Sequence, residues 1–175
     1  KVLQFIPNHN SSFQKEILPL LISKRELAGF LTDHRYYHVA DIERLKITEK
    51  FLQPKRVVLL DRDGVINKKP PKARYVKSWK EFTFLPGAIK ALALLTKHNY
   101  QIYIITNQAG IARGQMDEED LQEIHQKLYQ ELRKHSIEVR GIYYCPHGWN
   151  EGCDCRKPKP GLLFQVARDH YLDLT

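Results

Sequence analysis

The chain has 175 residues and a net charge of +8, and its hydrophobic and charged fractions of 42% and 27% are ordinary for a soluble globular protein. This length buries one substantial core with room for a small appendage. No apolar stretch is long enough to cross a bilayer and no signal peptide is visible at the start, so no membrane partner is expected. The chain opens on Lys1 rather than methionine, so we expect a fragment or a processed form.

Charge and cysteine usage indicate the kind of partner and the compartment. A basic surface favours anionic partners such as phosphorylated metabolites or nucleic acid, although the scattered cations also fit a solvated surface with no special partner. All three cysteines lie within residues 145–155, and an odd, crowded set argues against a disulfide framework. We therefore expect a reducing compartment, the cytoplasm, and a metal site.

Residues 1–53 are predicted to form a small helical segment. The pair Ser11-Ser12 is the candidate cap for a first helix that Pro19 must kink or break, with Phe13, Ile17, Leu20 and Leu21 on one side. Asp41 is a candidate cap for a second helix, which ends before Pro54. Three residues near in sequence, Asp33, His34 and His38, are not expected to form a site. The segment Pro54-Lys55-Arg56 is the predicted boundary before a domain over 54–175.

The first strand of that domain ends in two acids. The run Val57–Leu60 is apolar without alternation, which predicts a strand buried on both faces of a parallel sheet. Asp61 and Asp63 follow at its carboxyl end, where open parallel sheets place their chemistry, and Gly64 permits a sharp turn. Two carboxylates so close repel unless a cation lies between them, so a divalent ion is expected; the alternative is an acidic turn.

A long polar connection follows, from Asn67 to Phe84, and connections of this length over a site often act as flaps. Three aromatic residues are candidates to pin it to the body: Tyr75, Trp79 and Phe82. The pair Pro86-Gly87 then opens a helix with its apolar positions Ile89, Leu92 and Leu95 on one face.

Two further strands and two helices complete the predicted core. Ile102–Ile105 is a second buried strand that ends in Thr106-Asn107-Gln108, and a tight loop carrying Arg113 leads to a long helix capped by Asp117. A third strand, 142–144, runs into the cysteines, and a last helix spans about 162–170. Strand and helix alternate, which predicts an α/β fold with a doubly wound parallel sheet.

Four side chains near the end of the third strand match a metal site. Three sulfurs and one imidazole fit a closed, tetrahedral, structural zinc site; they belong to Cys145, His147, Cys153 and Cys155. Such a zinc would fix the loop that presents Arg156 and Lys157. The alternative is a set of coincidental free thiols. Together the three strand ends present carboxylates, a hydroxyl and cations, which are the parts that phosphoryl transfer needs.

These residues carry a resemblance. The segments 61–64, 106–108 and 156–158 resemble the first three motifs of the haloacid dehalogenase superfamily of phosphatases. Segments 75–76, 84–87, 110–114, 141–147 and 153–158 are most similar to its D-glycero-D-manno-heptose 1,7-bisphosphate 7-phosphatase group. The related histidinol-phosphate phosphatases share the acids and the zinc ligands, and the loop between residues 147 and 153 resembles theirs. The resemblance covers about residues 56–175.

The resemblance implies a role for each site residue. Asp61 would be the nucleophile, Asp63 the general acid and base, and Mg²⁺ would bind Asp61 and the backbone carbonyl of Asp63. Thr106 and Lys157 would hold the phosphoryl oxygens. The rest of the substrate would be contacted by Arg62, Asn107, Gln108, Arg113 and Arg156. A fourth motif with further magnesium ligands is expected after Thr175, so this chain is expected to be truncated by one strand.

The N-terminal segment shows a second resemblance. Residues 12–19 and 36–52 are similar to the tail of sugar-phosphate nucleotidyltransferases, which implies fusion to or contact with such a domain. Where that family typically has Asp-Ile-Gly, this chain has His38-Val39-Ala40, so no nucleotidyl transfer is expected and a helical appendage is the preferred interpretation.

The expected function is Mg²⁺-dependent hydrolysis of a phosphorylated sugar, with heptose bisphosphate as the leading substrate. Histidinol phosphate is the alternative within the class. A polynucleotide 3′-phosphatase is a distinct rival, disfavoured because neither a phosphate-cradling kinase loop nor an aromatic-basic tract is visible. A catalytically silent interaction module is the non-enzymatic alternative, motivated by the missing fourth motif.

Overall fold

Two units divide the chain in the computed structural model, Lys1–Leu52 and Gln53–Thr175. The structure describes residues 2–29 and 39–174. The candidates Asp33, His34 and His38 therefore lie outside the described residues, as does part of the segment that resembles a nucleotidyltransferase tail.

The first unit begins with short helical turns. A 3₁₀ turn spans Val2–Phe5, a π-helical turn spans Phe13–Ile17, and helix α1 follows directly over Leu18–Ser23. The hydroxyl oxygen of Ser12 accepts a hydrogen bond from the Lys15 N–H, so the predicted cap is confirmed. Pro19 lies in the first turn of α1, where its missing N–H costs no helical hydrogen bond, so the predicted break occurs at the change from π to α geometry. Ile17 and Leu21 are buried, whereas the predicted partners Phe13 and Leu20 are exposed.

Helix α2 spans Ile42–Leu52 and begins as predicted at Asp41, whose Oδ1 accepts from the Arg44 N–H at 2.8 Å. None of its residues is buried, and Ile42 and Leu52 are exposed. The helix is confirmed, and its residues Leu45 and Ile47 are exposed as well. In the part of the chain that the structure describes, no helix is long and apolar enough to cross a membrane.

A parallel sheet organises the second unit. Among the described residues it has the order β1-β2-β3, formed by Val57–Leu60, Gln101–Asn107 and Val139–Cys145. The register pairs Leu60 with Ile104 and Asn107 with Cys145, so the carboxyl ends of all three strands meet at one edge. The side chains of β1 pack against cores on both faces of the sheet, Val58 and Leu60 on one face and Val57 and Leu59 on the other, as predicted. They are half-buried rather than fully buried, and among the described residues β1 is an edge strand.

Helices cover both faces of β2, as the doubly wound prediction requires. On one face Ile102 and Ile104 join a core with α3 (Ala88–Lys97) and α4 (Glu118–Lys134). On the other face Tyr103 and Ile105 pack with α5 (Gly161–His170). Alternate residues of a strand point to opposite faces, which is why one short run can serve two cores. The predicted inward positions of α4 are all buried: Leu121, Ile124, Leu128 and Leu132.

The connection from Asn67 to Phe84 folds back on itself beside the strand ends. The Lys68 N–H donates to the Thr83 carbonyl at 2.8 Å, and the Leu85 N–H donates to the Ile66 carbonyl at 2.9 Å. The Trp79 and Phe82 rings stack with centroids 4.8 Å apart, and Tyr75 packs against the core. The predicted aromatic anchors of this loop are therefore confirmed, and they fix its remaining residues over the carboxyl edge of the sheet.

Candidate active site

The carboxyl ends of the strands open into a pocket of about 330 Å³. Asp61 and Asp63 follow β1, Thr106 and Asn107 end β2, and Gly64 has a φ of +96°, the left-handed conformation that its predicted sharp turn requires. The remaining lining comes from the 67–84 connection and from the cysteine-bearing loop. The structure thus brings together the acids, the hydroxyl and the cations that the strand ends predicted.

Asp61 forms an ion pair with Lys157 beside the end of β2. Its Oδ1 lies 2.8 Å from the Lys157 Nζ and also accepts the Arg62 backbone N–H at 2.8 Å. Lys157 also donates to the Ile105 carbonyl of β2 at 2.9 Å, which holds its side chain at the edge of the sheet. The Asp61 side chain is 42% exposed, and within the described residues its Oδ2 accepts no hydrogen bond. One carboxylate oxygen is therefore oriented by donors while the other is open to the pocket.

Asn107 holds Lys157 in place. Its Oδ1 accepts the Lys157 backbone N–H at 3.0 Å, and its Nδ2 donates to the Lys157 carbonyl at 3.1 Å. This pair of hydrogen bonds fixes the start of the loop that carries the ammonium group. Asn107 also lines the pocket, so its predicted contact with substrate stays a prediction, but its amide is already used to anchor Lys157.

Asp63 lies in a ring of N–H donors. Arg62 donates to both carboxylate oxygens, at 3.0 Å to Oδ2 and 3.1 Å to Oδ1. Asn67 donates to Oδ1 at 2.9 Å, and Gln108 donates to Oδ2 at 2.8 Å. Its side chain is 19% exposed and lines the pocket. A carboxylate with so many donors has a fixed orientation.

Arg62 and Gln108 do not face the pocket, which corrects the expectation that they contact substrate. Their side chains are 0% and 1% exposed, and both are occupied by protein acceptors. Arg62 also reaches the buried His125 Nε2 at 3.3 Å. Burial, and then the charge of Arg62, lowers the pKa of His125 to about 3, so this imidazole is neutral. Burial lowers the pKa of the Arg62 guanidinium as well, while Asp63 raises it.

Thr106 lines the pocket at the end of β2. The Gln108 Nε2 donates to the Thr106 Oγ1 at 2.9 Å, so that oxygen already acts as an acceptor. A hydroxyl has one hydrogen to donate, and with the oxygen so engaged this hydrogen is free for an acceptor in the pocket. Thr106 lies at the predicted position and has the hydrogen-bonding sense that a phosphoryl oxygen needs.

The cysteine-bearing loop supplies one wall. Arg156 lines the pocket and its NH1 donates to the His147 carbonyl at 3.2 Å. Arg113 lies with its guanidinium carbon 4.2 Å from the centre of the Trp149 ring, and Trp149 rather than Arg113 lines the pocket. A cation stacked on an aromatic face steadies both groups. Trp149 escaped prediction because a single exposed aromatic in a glycine-rich loop carries no periodic signal.

Three further cations that line the pocket were also missed. Lys69, Lys72 and Arg74 line the pocket from the 67–84 connection and are exposed. The sequence signal existed, because this stretch is rich in lysine and was predicted to act as a flap. The lysine content of this stretch does not tell which of its side chains reach the pocket, because that depends on how the loop folds back.

The predicted metal ligands converge. One ligand atom from each of Cys145, His147, Cys153 and Cys155 lies within 4.8 Å of every other. The Cys145 and Cys153 sulfurs are 3.6 Å apart, and the His147 Nδ1 is 3.2 Å from the Cys155 Sγ. When Zn–S and Zn–N bonds of about 2.3 and 2.1 Å meet at tetrahedral angles, two ligand atoms lie roughly 3.5–3.8 Å from each other. The cluster therefore has the donors and the spacing to hold one tetrahedral ion.

The chain is similar to known proteins in sequence and in fold. The family model described as polynucleotide kinase 3 phosphatase matches residues 56–174. The D-glycero-beta-D-manno-heptose-1,7-bisphosphate 7-phosphatase of Pseudomonas putida is 44% identical over 116 residues, 66% of this chain and 65% of that protein. The D-glycero-alpha-D-manno-heptose-1,7-bisphosphate 7-phosphatase of Mycobacterium bovis is 40% identical over 113 residues, 65% of this chain and 59% of that protein.

The fold is also similar to that of a solved structure. The D,D-heptose 1,7-bisphosphate phosphatase from Bordetella bronchiseptica, complexed with magnesium and phosphate, matches with a TM-score of 0.65 at 41% identity. The match covers 69% of this chain and 66% of that chain. Fold and site together define a domain of the haloacid dehalogenase superfamily. Because the family model spans more than half of the residues, the chain belongs to the polynucleotide kinase 3 phosphatase family. It spans less than two thirds of the length of these relatives.

Proposed function

We propose that this protein hydrolyses a phosphomonoester through a phosphoenzyme formed on Asp61. The observation that carries the proposal is the ion pair of Asp61, which keeps one open oxygen while Lys157 lies 2.8 Å from the other. Thr106 and Lys157 supply donors for the phosphoryl oxygens, and Asp63 lines the same pocket. Preorganised donors around a phosphoryl group are the main requirement for its transfer.

The reaction follows from these positions. An Asp61 oxygen attacks phosphorus, the bond from phosphorus to the substrate oxygen breaks, and protonated Asp63 gives its proton to the departing oxygen. A water molecule then attacks phosphorus, Asp63 takes its proton, and the bond between phosphorus and Asp61 breaks to release inorganic phosphate. Asp63 is thus acid in one half-reaction and base in the other.

Two metal ions complete the proposal. The open Asp61 oxygen and the Asp63 backbone carbonyl are hard donors of the kind Mg²⁺ prefers, and bound Mg²⁺ would offset the repulsion between carboxylate and phosphate. Further magnesium ligands after Thr175 stay a prediction. The cysteine and histidine cluster fits Zn²⁺ in a closed, structural role. Zinc there would fix the loop from which Arg156 and Lys157 reach the pocket.

A substrate with a second anionic group suits the pocket best. Lys69, Lys72, Arg74 and Arg156 lie around the acids, in addition to Lys157 at the nucleophile. One phosphate engages Lys157 and Thr106, so the surplus of cations favours a second phosphate on the same molecule. D-glycero-D-manno-heptose 1,7-bisphosphate, with its 7-phosphate removed, meets this requirement, and the relatives above are named for it. Histidinol phosphate fits less well, because its ammonium group would be repelled.

A polynucleotide 3′-phosphatase is the second candidate. The description of the matching family and the net charge of +8 favour it, since a nucleic acid also supplies several phosphates near the reacting one. Its binding should weaken steeply with salt, whereas that of a small bisphosphate should weaken much less. We further expect a cytoplasmic protein, and fusion to a nucleotidyltransferase domain stays a prediction.

A phosphate-release panel tests the proposal. The substrates are both anomers of the heptose bisphosphate, histidinol phosphate, and an oligonucleotide with a 3′-phosphate, each with Mg²⁺ at low and high salt. We expect turnover of a heptose anomer that Asp61→Asn abolishes. Preferred, salt-sensitive hydrolysis of the oligonucleotide would establish the second candidate instead. If phosphate is released from none of these substrates, the catalytically silent interaction module is the remaining interpretation.

A further inference from the structure

A buried cation lies directly behind the proton-transferring carboxylate. The Arg62 side chain is 0% exposed, and its guanidinium contacts both oxygens of Asp63, at 3.0 and 3.1 Å. Asp63, in contrast to buried Arg62, lines the pocket. The residue between the two catalytic acids therefore acts on one of them from the protein side and never meets the substrate.

The far end of the same guanidinium is fixed by His125 of helix α4. The Arg62 NH1 lies 3.3 Å from the His125 Nε2. Arginine has donors but no acceptor, so Nε2 must be the unprotonated nitrogen and the imidazole must be neutral. Because α4 packs on the sheet through four buried positions, His125 is attached to a rigid element. The chain of contacts runs from that helix through Arg62 to Asp63.

Stability alone does not account for this arrangement. A buried ion pair pays a desolvation penalty that is often as large as its attraction, and apolar residues of similar volume are commonly as stabilising. What a planar guanidinium provides, and an apolar residue cannot, is a defined direction for the carboxylate. Asn67 and Gln108 add donors at 2.9 and 2.8 Å, which leaves Asp63 no equivalent rotamer.

We propose that Arg62 is a positioning residue that aligns Asp63 for proton transfer, and that His125 holds Arg62 in that position. This inference rests on the proposed phosphatase function, and it assigns to Arg62 a place in the chemistry rather than in substrate binding. Proton transfer needs donor and acceptor within hydrogen-bond reach and aligned, so a loosened Asp63 would transfer protons more slowly without weakening substrate binding.

The leaving group distinguishes positioning from general support of the fold. An alkyl oxygen, such as that of the heptose ester, must receive a proton as it departs, whereas p-nitrophenolate leaves as a stable anion. Misaligned Asp63 should therefore slow formation of the phosphoenzyme from the alkyl ester and leave the p-nitrophenolate burst intact. The second half-reaction, in which water attacks, should slow for both substrates.

The experiment uses Arg62→Lys, which keeps the charge but cannot span both carboxylate oxygens and also reach His125. With heptose 1,7-bisphosphate we expect kcat to fall by about 100-fold with KM changed less than about threefold. With p-nitrophenyl phosphate the burst rate should stay within about threefold while the steady-state rate falls. His125→Leu has no acceptor for Arg62 and should show a weaker form of the same losses. His125→Gln should restore the wild-type kinetics, because its Oε1 can accept from the Arg62 NH1.

Leu128→Ala is the matched control, since it removes a buried side chain one turn along α4 without touching Arg62. It should lower the melting temperature and leave the ratio between the two substrates unchanged. Equal losses with both esters, including the burst, or a failure of His125→Gln to restore what His125→Leu loses, would overturn the inference alone. A wild-type protein that releases phosphate from neither ester would overturn the proposed function, and the inference would fall with it.

Discussion

Replacing His125 by glutamine should remove a specific part of the dependence of stability on pH. Burial and the neighbouring Arg62 charge lower the pKa of this imidazole to about 3 in the folded protein, against 6.5 for an ordinary histidine. At pH values between about 3 and 6.5, His125 is protonated in the unfolded chain and neutral in the folded protein. The free energy of unfolding must therefore fall as the pH falls below 6.5, and glutamine, which does not titrate, cannot contribute this fall.

The size of the effect follows from the two pKa values. A shift from 6.5 to about 3 corresponds to a ceiling of about 5 kcal/mol, reached below pH 3. Between pH 7 and pH 5 the same values give a loss of about 2 kcal/mol in the free energy of unfolding. Glutamine keeps an acceptor for Arg62, so the pH-independent change should be small beside this slope.

The assay is urea unfolding of wild type and His125→Gln at half-unit steps from pH 5 to pH 8, followed by circular dichroism. The difference between the two proteins isolates His125, because every other titrating group is common to both. Leu128→Ala serves as the control, since it should be less stable at every pH and keep the wild-type slope. A difference between wild type and His125→Gln that stays constant from pH 7 to pH 5 would refute the argument that the imidazole is held neutral.

The remaining predictions concern the loop that carries the cations. Chelation of zinc should raise hydrogen exchange in residues 145–160 before the rest of the domain, and unchanged exchange there would contradict the structural-zinc assignment. Asn107→Ala leaves the Lys157 backbone N–H and carbonyl without their partners, so the free energy of unfolding in denaturant should fall by about 1–3 kcal/mol and kcat should fall with it. An unaltered kcat would show that Asn107 does not position Lys157. Gly161→Ala would place a Cβ 2.9 Å from the Cys155 Cα and against the Asp154 carbonyl, so zinc affinity should fall in a chelator competition. Gly29→Ala is the control, because no described atom lies within 4 Å of the added Cβ, and equal zinc affinity in both variants would count against the collision.

Periodic features were accessible from the sequence because they repeat. Helix α4 was predicted with its cap at Asp117 and its inward positions, and the structure shows the cap as a reciprocal pair with Asp120. The strand ends were found because a short apolar run followed by polar residues marks the carboxyl edge of a parallel sheet. The metal cluster was found because all three cysteines lie close together in the chain.

Contacts between distant parts of the chain were not accessible in the same way. Arg62 and Gln108 follow strand ends, and the family resemblance assigned them to substrate. Arg62 contacts His125 of α4, and Gln108 donates to Asp63, which lies 45 residues earlier in the chain; local sequence describes neither contact. His125 occupies an inward position of α4, where a histidine is ordinarily a core residue, and its contact with Arg62 spans 63 residues of sequence.

The sequence by itself determined the fold class and supplied the candidate acids, hydroxyl, lysine and cysteine-histidine cluster, since these depend on residue type, on short spacing and on motifs that resemble a known family. The tertiary structure decided which polar side chains face the pocket and which stand behind it. Alternation along a strand gives a side chain one of two directions, but whether that direction leads to substrate or to a buried partner depends on what the rest of the chain packs there.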